Sequence, residues 1–148
     1  MVDVIFNHFQ FVHCRITDKR NGDSTLTTIV YASSNATKRK ALWSNIRRLA
    51  SSIYAPWILF GDFNATLCST DRMGGSSYMK PSRLFNDLVH DIGLRDMGFS
   101  GPDYTWQRGF TQVRLDRYLC NSYWDESFPV STIQHLLRLK SDHRPILL

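Results

Sequence analysis

Two short polar clusters, each beside a hydrophobic run, carry the side chains best suited to bind a cation and a phosphate. The first is Gly61-Asp62-Phe63-Asn64, which follows Pro56-Trp57-Ile58-Leu59-Phe60, and the second is Ser141-Asp142-His143, just before the last apolar segment. Asp62 and Asn64 are two residues apart, so an extended backbone points both to the same side. Oxygen ligands on a stiff frame, with an imidazole nearby, form a common site for a hard cation and a phosphate.

Each of these residues also has an ordinary structural interpretation. Asp62 and Asn64 are both turn-forming residue types, and a turn after a strand explains them without chemistry. A single histidine such as His143 is more often structural or exposed than functional, and Tyr31 by itself reads as a core aromatic. Taken one at a time, the clusters leave both interpretations open.

Strands predominate among the elements that must position these clusters. Alternating residues over 2–17 and a β-rich run over 25–31 flank Asn21-Gly22, a strong tight-turn signal, so they predict an antiparallel hairpin. A short buried strand is predicted at 57–61, directly before Asp62. Further strands are predicted at 94–97, 104–107, 113–118, 130–137 and 145–148.

Two helices are predicted to lie outside the strands. Apolar residues recur at helical spacing over 37–52, with lysines and arginines between them. Ser82 is predicted to cap a second helix that runs to about Asp91. Residues 66–81 form a long Gly/Ser-rich segment, of the kind that is usually functional or flexible. Strands with helices outside them predict an α+β sandwich.

Length and composition limit the classes of protein to which the chain can belong. Its 148 residues predict one domain, and 43% hydrophobic with 13% aromatic residues is typical of a globular chain. No apolar run reaches the roughly 18 residues of a membrane span. Three widely spaced cysteines argue against a disulfide framework or a zinc site. No signal-peptide pattern is present, which fits an intracellular protein or a fragment whose true N-terminus lies elsewhere.

The net charge of +5 predicts an affinity for polyanions, of which DNA is the obvious example. Lys38-Arg39-Lys40 and Arg47-Arg48 would lie on one helix, where they could simply form its solvated face. Arg72, Lys80 and Arg83 lie in or beside the Gly/Ser-rich segment and are better placed to meet a phosphate backbone.

Five stretches together resemble the endonuclease/exonuclease/phosphatase superfamily, and most of all the endonuclease-like domain of plant LINE-type (non-LTR) retrotransposons. They match in the family's order over about residues 9–148. In chain order they are Ile29-Val30-Tyr31-Ala32-Ser33, Gly61-Asp62-Phe63-Asn64, Tyr104-Thr105-Trp106, Arg114-Leu115-Asp116-Arg117 and Ser141-Asp142-His143. The resemblance implies a four-layer α/β/β/α fold, with two packed, mostly antiparallel β-sheets flanked by helices. It also implies a metal-dependent phosphodiester hydrolase of the endonuclease type that acts on DNA, in the nucleus if the DNA is genomic.

The same resemblance implies a catalytic set of four residues. Asp62 would orient or deprotonate the attacking water, and Asn64 would bind that water or a phosphate oxygen. His143 would stabilise charge on a non-bridging oxygen, with Asp116 as its anionic partner. Arg114 and Arg117 flank Asp116, and one of them is a further candidate to pair with it.

Substrate and metal ligands complete the implied site. Tyr31 would donate a hydroxyl to the phosphate, and Trp106, beside Thr105, would shape the substrate loop. Asn64 counts as substrate-binding as well. Asp142 and Asp62 would hold Mg²⁺, or Mn²⁺ in its place, because the available ligands are oxygens.

The resemblance also points to two elements that this chain does not show. Relatives carry upstream strands that end in an Asn and in the Glu that is their principal metal carboxylate, so residues 1–148 read as a partial domain, incomplete at its N-terminus. The face of the sheet that lacks those strands should expose apolar surface around Phe6, Phe9 and Phe11 and should give the protein a tendency to aggregate.

Three functional hypotheses therefore stand beside one another. The first is an active DNA endonuclease. The second is a catalytically inactive, retrotransposon-derived remnant that is at most a weak nucleic-acid binder. A small-molecule or lipid phosphatase ranks lower, because no basic pocket motif for inositol phosphates is present.

Overall fold

A six-stranded sheet is the frame of the protein, and the computed structural model describes residues 1–75 and 80–148. The strands, in chain order, are β1 (Val2–His8), β2 (Phe11–Thr17), β3 (Ser24–Tyr31), β4 (Trp57–Asp62), β5 (Arg72–Met73), β6 (Arg95–Asp96), β7 (Trp106–Arg108), β8 (Thr111–Val113), β9 (Asp116–Cys120), β10 (Gln134–His135) and β11 (Ile146–Leu147). The helices are α1 (Ala36–Ala50), α2 (Arg83–Asp91) and α3 (Ser122–Ser127). Within the described ranges, none of the helices has the length and apolarity needed to cross a bilayer.

The register of the central strands brings three polar residues to one end of the sheet. The strand order is β1-β2-β3-β4-β9-β6, and only β3 and β4 run parallel. Tyr31 lies opposite Asp62 between β3 and β4, and Asp62 lies opposite Asp116 between β4 and β9. Three neighbouring strands therefore present Tyr31, Asp62 and Asp116 in one row.

Strand β4 divides the apolar interior into two clusters, one on each face of the sheet. Its residues Trp57 and Leu59 pack with α1 and α2, whereas the alternate residues Ile58 and Phe60 pack on the other face with Trp124 of α3. This alternation follows from the two-residue period of a strand. Because β4 is covered on both faces, its end is held in a fixed position.

Two small sheets bring the C-terminal cluster to the same end. β5, β8 and β7 form a three-stranded sheet, and β10 pairs with β11. Trp106 forms a β-bridge with His143, and the Gln107 amide donates to the Asp142 carbonyl at 3.0 Å. The fold thus has two main, mostly antiparallel sheets and few helices, as the sequence predicted, with the β10–β11 pair in addition.

Most predicted elements are present with small shifts of their ends. The helix expected at 37–52 is α1, and Ser82 caps α2 by accepting the Phe85 amide at 3.3 Å. Asn21-Gly22 lies in the turn between antiparallel β2 and β3, where Gly22 has a φ of 80°. Part of the Gly/Ser-rich segment, residues 76–79, lies outside the described residues.

Three local predictions were wrong. The run 2–17 is two strands with a turn between them, and the run 113–118 is divided between β8 and β9. The division occurs at Leu115, whose amide donates to the Thr105 hydroxyl at 3.0 Å instead of to a neighbouring strand. In the run 130–137 only β10 pairs with another strand. The sequence also did not predict α3, because a helix of six residues is too short to show a helical period.

The expected apolar exposure at Phe6, Phe9 and Phe11 is only partly observed. Phe9 is 73% exposed and Phe6 is partly exposed, but Phe11 is 3% exposed. Phe11 pairs with Val30, and both point into the cluster beneath α1, which explains the difference. Further exposed apolar residues lie along β1, at the edge of the sheet, and include Val2, Val4 and Ile5.

We expect Val4→Lys to reduce aggregation on heating, because long apolar edge strands pair with other chains and a lysine on the edge prevents this. The free energy of unfolding should change by no more than about 0.5 kcal/mol, since the side chain is exposed. Light scattering during a thermal ramp, with urea unfolding alongside, measures both quantities. Asn7→Lys is the matched control, because it adds the same charge to β1 without removing apolar surface. Equal protection by both variants would contradict the role of the apolar edge.

Candidate active site

Asp62 is fixed by the residue that follows it in the same turn. Its buried carboxylate accepts the Asn64 backbone amide at 2.8 Å through Oδ1 and the Asn64 side-chain amide at 3.0 Å through Oδ2. The same Asn64 amide group donates to the Ala32 carbonyl at 2.8 Å. Asn64 therefore connects Asp62 to the backbone just after β3, which holds the carboxylate in one orientation.

Backbone geometry explains the residue types on either side of Asp62. Gly61 has a φ of 126°, and a Cβ there would lie 2.1 Å from the Val30 carbonyl oxygen, so only glycine allows β3 and β4 to approach this closely. Asn64 has a φ of 46°, in the left-handed region that asparagine tolerates better than most residues. Phe63 is buried and stacks on Phe85 at 5.0 Å between ring centroids. The turn is thus anchored in the core.

His143 connects the C-terminal cluster to the sheet through Asp116. Its Nδ1 lies 2.9 Å from Asp116 Oδ2, and its Nε2 lies 4.0 Å from Asp62 Oδ2. An ionised carboxylate can only accept, so Nδ1 carries the proton that is shared with Asp116. This bond directs Nε2 towards Asp62.

The pKa of Asp62 is raised to about 6, chiefly by burial and also by the charge of neighbouring Asp116. The Asn64 amide, His143 and the Arg39 guanidinium act in the opposite direction and lower it. The balance leaves negative charge at this point only partly compensated. A carboxyl group with a pKa near 6 is suited to accept a proton close to neutral pH.

Thr105 supports Asp116 from behind. Its buried hydroxyl oxygen accepts the amides of Leu115 and Asp116, both at 3.0 Å. Its carbonyl accepts the Arg144 amide at 2.7 Å, next to His143. Thr105 therefore joins the two partners of the His143–Asp116 pair.

The arginines that flank Asp116 do not pair with it, so that expectation was wrong. Arg117, 1% exposed, donates to Asp71 at 2.8 Å and to Asp96 at 2.7 Å. Arg114 binds both carboxylate oxygens of Asp96, at 2.7 and 3.0 Å. These four side chains form a buried charge network beneath β9. Sequence reasoning missed Asp71 and Asp96, because nothing in their local pattern marks their distant partners.

The remaining candidate residues meet in one cavity of about 620 Å³. The candidates that line it are Tyr31, Asp62, Asn64, Trp106, Asp142 and His143. Tyr31 is 75% exposed, so it is a surface residue of the cavity and not a core aromatic. The Trp106 indole donates to Asp142 Oδ2 at 3.0 Å, and this bond lowers the pKa of Asp142. Asp116 does not line the cavity but holds His143, which does.

Four basic side chains also line the cavity, namely Arg39, Arg72, Lys80 and Arg108. The sequence predicts Arg72 and Lys80 near a phosphate, leaves a solvated helix face as one interpretation of Arg39, and does not single out Arg108. Arg83 is exposed on α2 and pairs with Asp87 at 3.7 Å instead. A single helix pattern cannot show which of three consecutive basic residues turns towards a neighbouring strand.

Asp62, Asp116 and His143 form a group that can hold a metal ion, because each offers a ligand atom within 4.8 Å of the others. It is the one such group among the described residues, and Asp142 is not part of it. The pKa of Asp62 is raised chiefly because its carboxylate is buried, and the charge of Asp116 adds to this. A divalent cation beside Asp62 would stabilise its ionised form. The residues present therefore fit a cation at this position.

A model of the endonuclease/exonuclease/phosphatase family matches residues 2–143. The chain belongs to this family. Family membership agrees with the five sequence stretches and with the meeting of Asp62, Asn64, Asp116 and His143 at one end of the sheet. No curated protein matches the sequence significantly.

Solved structures with the same fold include two endonucleases and a protein in complex with DNA. The endonuclease domain of TRAS1, a telomere-specific non-LTR retrotransposon, aligns with a TM-score of 0.71 and 16% identity over 98% of this chain and 65% of that one. The AP endonuclease LMAP from Leishmania major aligns with a TM-score of 0.66 and 15% identity over 93% of this chain and 53% of that one. D. rerio TDP2, in complex with a single-strand DNA product, aligns with a TM-score of 0.50 and 13% identity over 99% of this chain and 64% of that one. At these identities the likeness shows the fold, and this family member spans between half and two thirds of their lengths.

We expect the stability of the metal-free protein to depend on pH through Asp62. The native pKa of about 6 lies above the ordinary 3.8, so the native state binds the proton more tightly than the unfolded state. The stabilisation from that proton is complete below the ordinary pKa and is lost as the pH rises through the native pKa. The difference in unfolding free energy, wild type minus Asp62→Asn, should therefore fall by up to about 1.4 kcal/mol per pH unit across this window. Urea unfolding in EDTA from pH 3.5 to 8 measures it, and a flat difference would contradict the raised pKa.

We expect Thr105→Val to destabilise the protein by about 1–3 kcal/mol, because two backbone amides would lose their acceptor in a buried place. Thr27→Val is the matched control, since Thr27 is also buried and its hydroxyl makes no hydrogen bond to a described residue. Urea midpoints of the two variants give the comparison. Equal losses would mean that the cost comes from replacing a buried threonine and not from the amides of Leu115 and Asp116.

Proposed function

We propose that the protein is a Mg²⁺-dependent phosphodiester hydrolase of the endonuclease type that acts on DNA. The observation that carries the proposal is the group of Asp62, Asp116 and His143 beside a cavity with four basic side chains. Acidic groups in this position serve a cation and a water, and basic groups around them serve a phosphate ester. The family supports hydrolysis of phosphate esters, while the metal and the DNA belong to the proposal.

In this proposal Asp62 positions the attacking water and takes its proton. Its carboxylate is held by Asn64 through two hydrogen bonds, so its free lone pairs have a fixed direction. A base whose pKa lies near the working pH is the most effective. Both protons of the Asn64 side-chain amide are engaged, on Ala32 and on Asp62, so Asn64 contributes first by orienting Asp62, and its free carbonyl oxygen can accept from the water.

His143 in its protonated form stabilises the charge that develops on a non-bridging phosphate oxygen. Asp116 accepts a hydrogen bond from Nδ1 at 2.9 Å, which orients the ring so that Nε2 is left for the substrate. Tyr31, exposed at the edge of the cavity, donates its hydroxyl to the phosphate. Trp106 shapes the wall beside Asp142 through the indole hydrogen bond.

Asp62 would hold Mg²⁺, and Asp142 is proposed as a second carboxylate because it lines the same cavity, although it lies outside the group of Asp62, Asp116 and His143. When bound, Mg²⁺ supplies positive charge to the phosphate, and it needs only one or two protein carboxylates because it retains several waters. Asp116 is less available, since His143 already uses one of its oxygens. Mn²⁺ has similar ligand preferences and would substitute for Mg²⁺.

DNA is favoured as the substrate by charge and by likeness. The net charge is +5, and four of the basic side chains surround the candidate site. The similar structures include a retrotransposon endonuclease domain and a protein in complex with a DNA product. An origin in a plant LINE-type element, and action in the nucleus, extend the same proposal.

A catalytically inactive nucleic-acid binder is the second candidate. It is favoured by the small number of free carboxylates, since the described residues hold one metal-capable group and His143 occupies one of its two acids. Groups that act together lose most of their effect when one is missing. Basic side chains around the cavity would still attract DNA in that case.

We expect the protein to nick supercoiled plasmid with Mg²⁺ and not with EDTA. Asp62→Ala and His143→Ala should each lower the rate by at least about 100-fold, because each removes a group that acts on a proton or on the transition-state charge. Circular dichroism establishes that each variant is folded. Asp87→Ala is the control, because Asp87 is a partly exposed acid on α2 that does not line the cavity, and it should retain the wild-type rate.

The two candidates differ in the outcome of this assay. Mg²⁺-dependent nicking that both active-site variants lose, and that the control keeps, supports the hydrolase. Folded wild-type protein without nicking activity rejects it and favours the inactive binder. Nicking that persists in Asp62→Ala would exclude Asp62 as the base and point to a contaminating nuclease.

A further inference from the structure

Arg39 differs from the other basic residues of α1 in where its side chain lies. It is half-buried and lines the cavity of Asp62 and Asn64, whereas its neighbours Lys38 and Lys40 are exposed. Three consecutive basic residues therefore divide into two that face solvent and one that faces the candidate site. A solvated helix face accounts for Lys38 and Lys40 but not for Arg39.

The Arg39 guanidinium is held at one nitrogen and free at the others. Nη1 donates to the carbonyls of Ser33 and Ser34, both at 2.8 Å, in the turn between β3 and α1. No hydrogen bond joins Nε or Nη2 to any described residue. Because the guanidinium is planar and rigid, fixing Nη1 also fixes the direction of the remaining donors. Arg39 thus presents N–H groups that are already oriented.

Bracing the turn is a simpler role for Arg39, but it does not explain the charge. A neutral donor could bind the same two carbonyls, while burial of a guanidinium is unfavourable. Asp62 does not form an ion pair with Arg39 within 4.0 Å among the described contacts, although its charge is near enough to be felt by Arg39. A half-buried cation with unused donors, beside a cavity, is suited to an anionic ligand.

We propose that Arg39 binds a phosphate of the DNA strand adjacent to the phosphate that is cleaved. This inference rests on the proposed function, because it takes the cavity to be the substrate site. Arg72, Lys80 and Arg108 line the same cavity from other segments, and a volume of about 620 Å³ exceeds that of a single phosphate group. Successive phosphates of one strand are spaced closely enough for several of these cations to be used together.

The test is DNA binding without cleavage. A fluorescent 14-base-pair duplex is titrated in EDTA at several salt concentrations, and the slope of log K against log salt counts the phosphates that are neutralised. Arg39→Gln should lower the magnitude of the slope by about 0.9, since it keeps a donor for the turn but removes one charge. Lys40→Gln removes the same charge from the exposed neighbouring position and should leave the slope as in the wild type. Arg39→Lys should restore the slope, which a purely structural role would not predict.

A second variant covers the case in which Arg39→Gln does not fold. Ser34 is exposed and lines the cavity, so Ser34→Asp places a negative charge beside Arg39 while leaving the backbone carbonyl in place. It should weaken duplex binding at low salt about tenfold or more, as expected when one favourable charge contact becomes unfavourable. Wild-type binding by Ser34→Asp and by any folded Arg39→Gln would overturn the inference.

Different outcomes reject the binding role of Arg39 and the hydrolase activity. A wild-type slope in folded Arg39→Gln, or an equal loss in Lys40→Gln, overturns the role of Arg39 and leaves the hydrolase untouched. Wild-type protein that binds the duplex through Arg39 but does not nick plasmid supports the binding role and rejects the hydrolase. Wild-type protein that does not bind the duplex at all overturns the binding role together with the DNA substrate.

Discussion

The pairing of β4 with β9 is the constraint on which the candidate site depends. It sets Asp62 opposite Asp116 at the end of a sheet that is packed on both faces. Two acidic side chains in such a place repel each other and are poorly hydrated, so each needs a partner. His143 satisfies Asp116, and Asn64 holds Asp62. The pKa of Asp62 nevertheless remains raised, so its ionised form is unfavourable in this place. A bound cation or a proton would each stabilise the carboxyl group.

A buried charge network beneath β9 keeps this pairing in register. Arg114, just before β9, and Arg117, within it, bind Asp71, which directly precedes β5, and Asp96 of β6. Breaking such a pair is costly, because a charge is left in the interior without a partner. The arginines of the Arg-Leu-Asp-Arg stretch are therefore structural, while the aspartate between them faces the histidine.

Acidic and basic side chains line the same cavity. Asp62 and Asp142 line it, and so do basic side chains from four different segments. This combination suits a phosphate ester, whose negative oxygens the cations would attract while the acids and the imidazole act at its reactive centre. The overall charge of +5 is consistent with an anionic substrate. Four basic side chains concentrate part of that positive charge at the cavity, namely Arg39, Arg72, Lys80 and Arg108.

The sequence alone determined the main elements and the order of the motifs. Helical periodicity identified α1, the Ser82 cap identified α2, and Asn21-Gly22 identified the hairpin, because each signal is local and lies within one turn or one strand. The same holds for Gly61-Asp62-Phe63-Asn64, whose residue types suit a close strand approach and a left-handed turn. Family resemblance connected this stretch with Asp116 and His143 before any distance was known.

Only the tertiary structure decided which side chains meet. Phe11 turned out to be buried, Tyr31 exposed, and Arg39 a cavity residue, since each outcome depends on which face of a strand or helix another element covers. Asp71 and Asp96 both bind Arg117, which lies 46 residues after Asp71 and 21 residues after Asp96 in the chain. Such contacts join residues that are distant in sequence, and no local pattern records them. The sequence therefore supplied the chemical groups, and packing across the sheet determined their partners and their charge states.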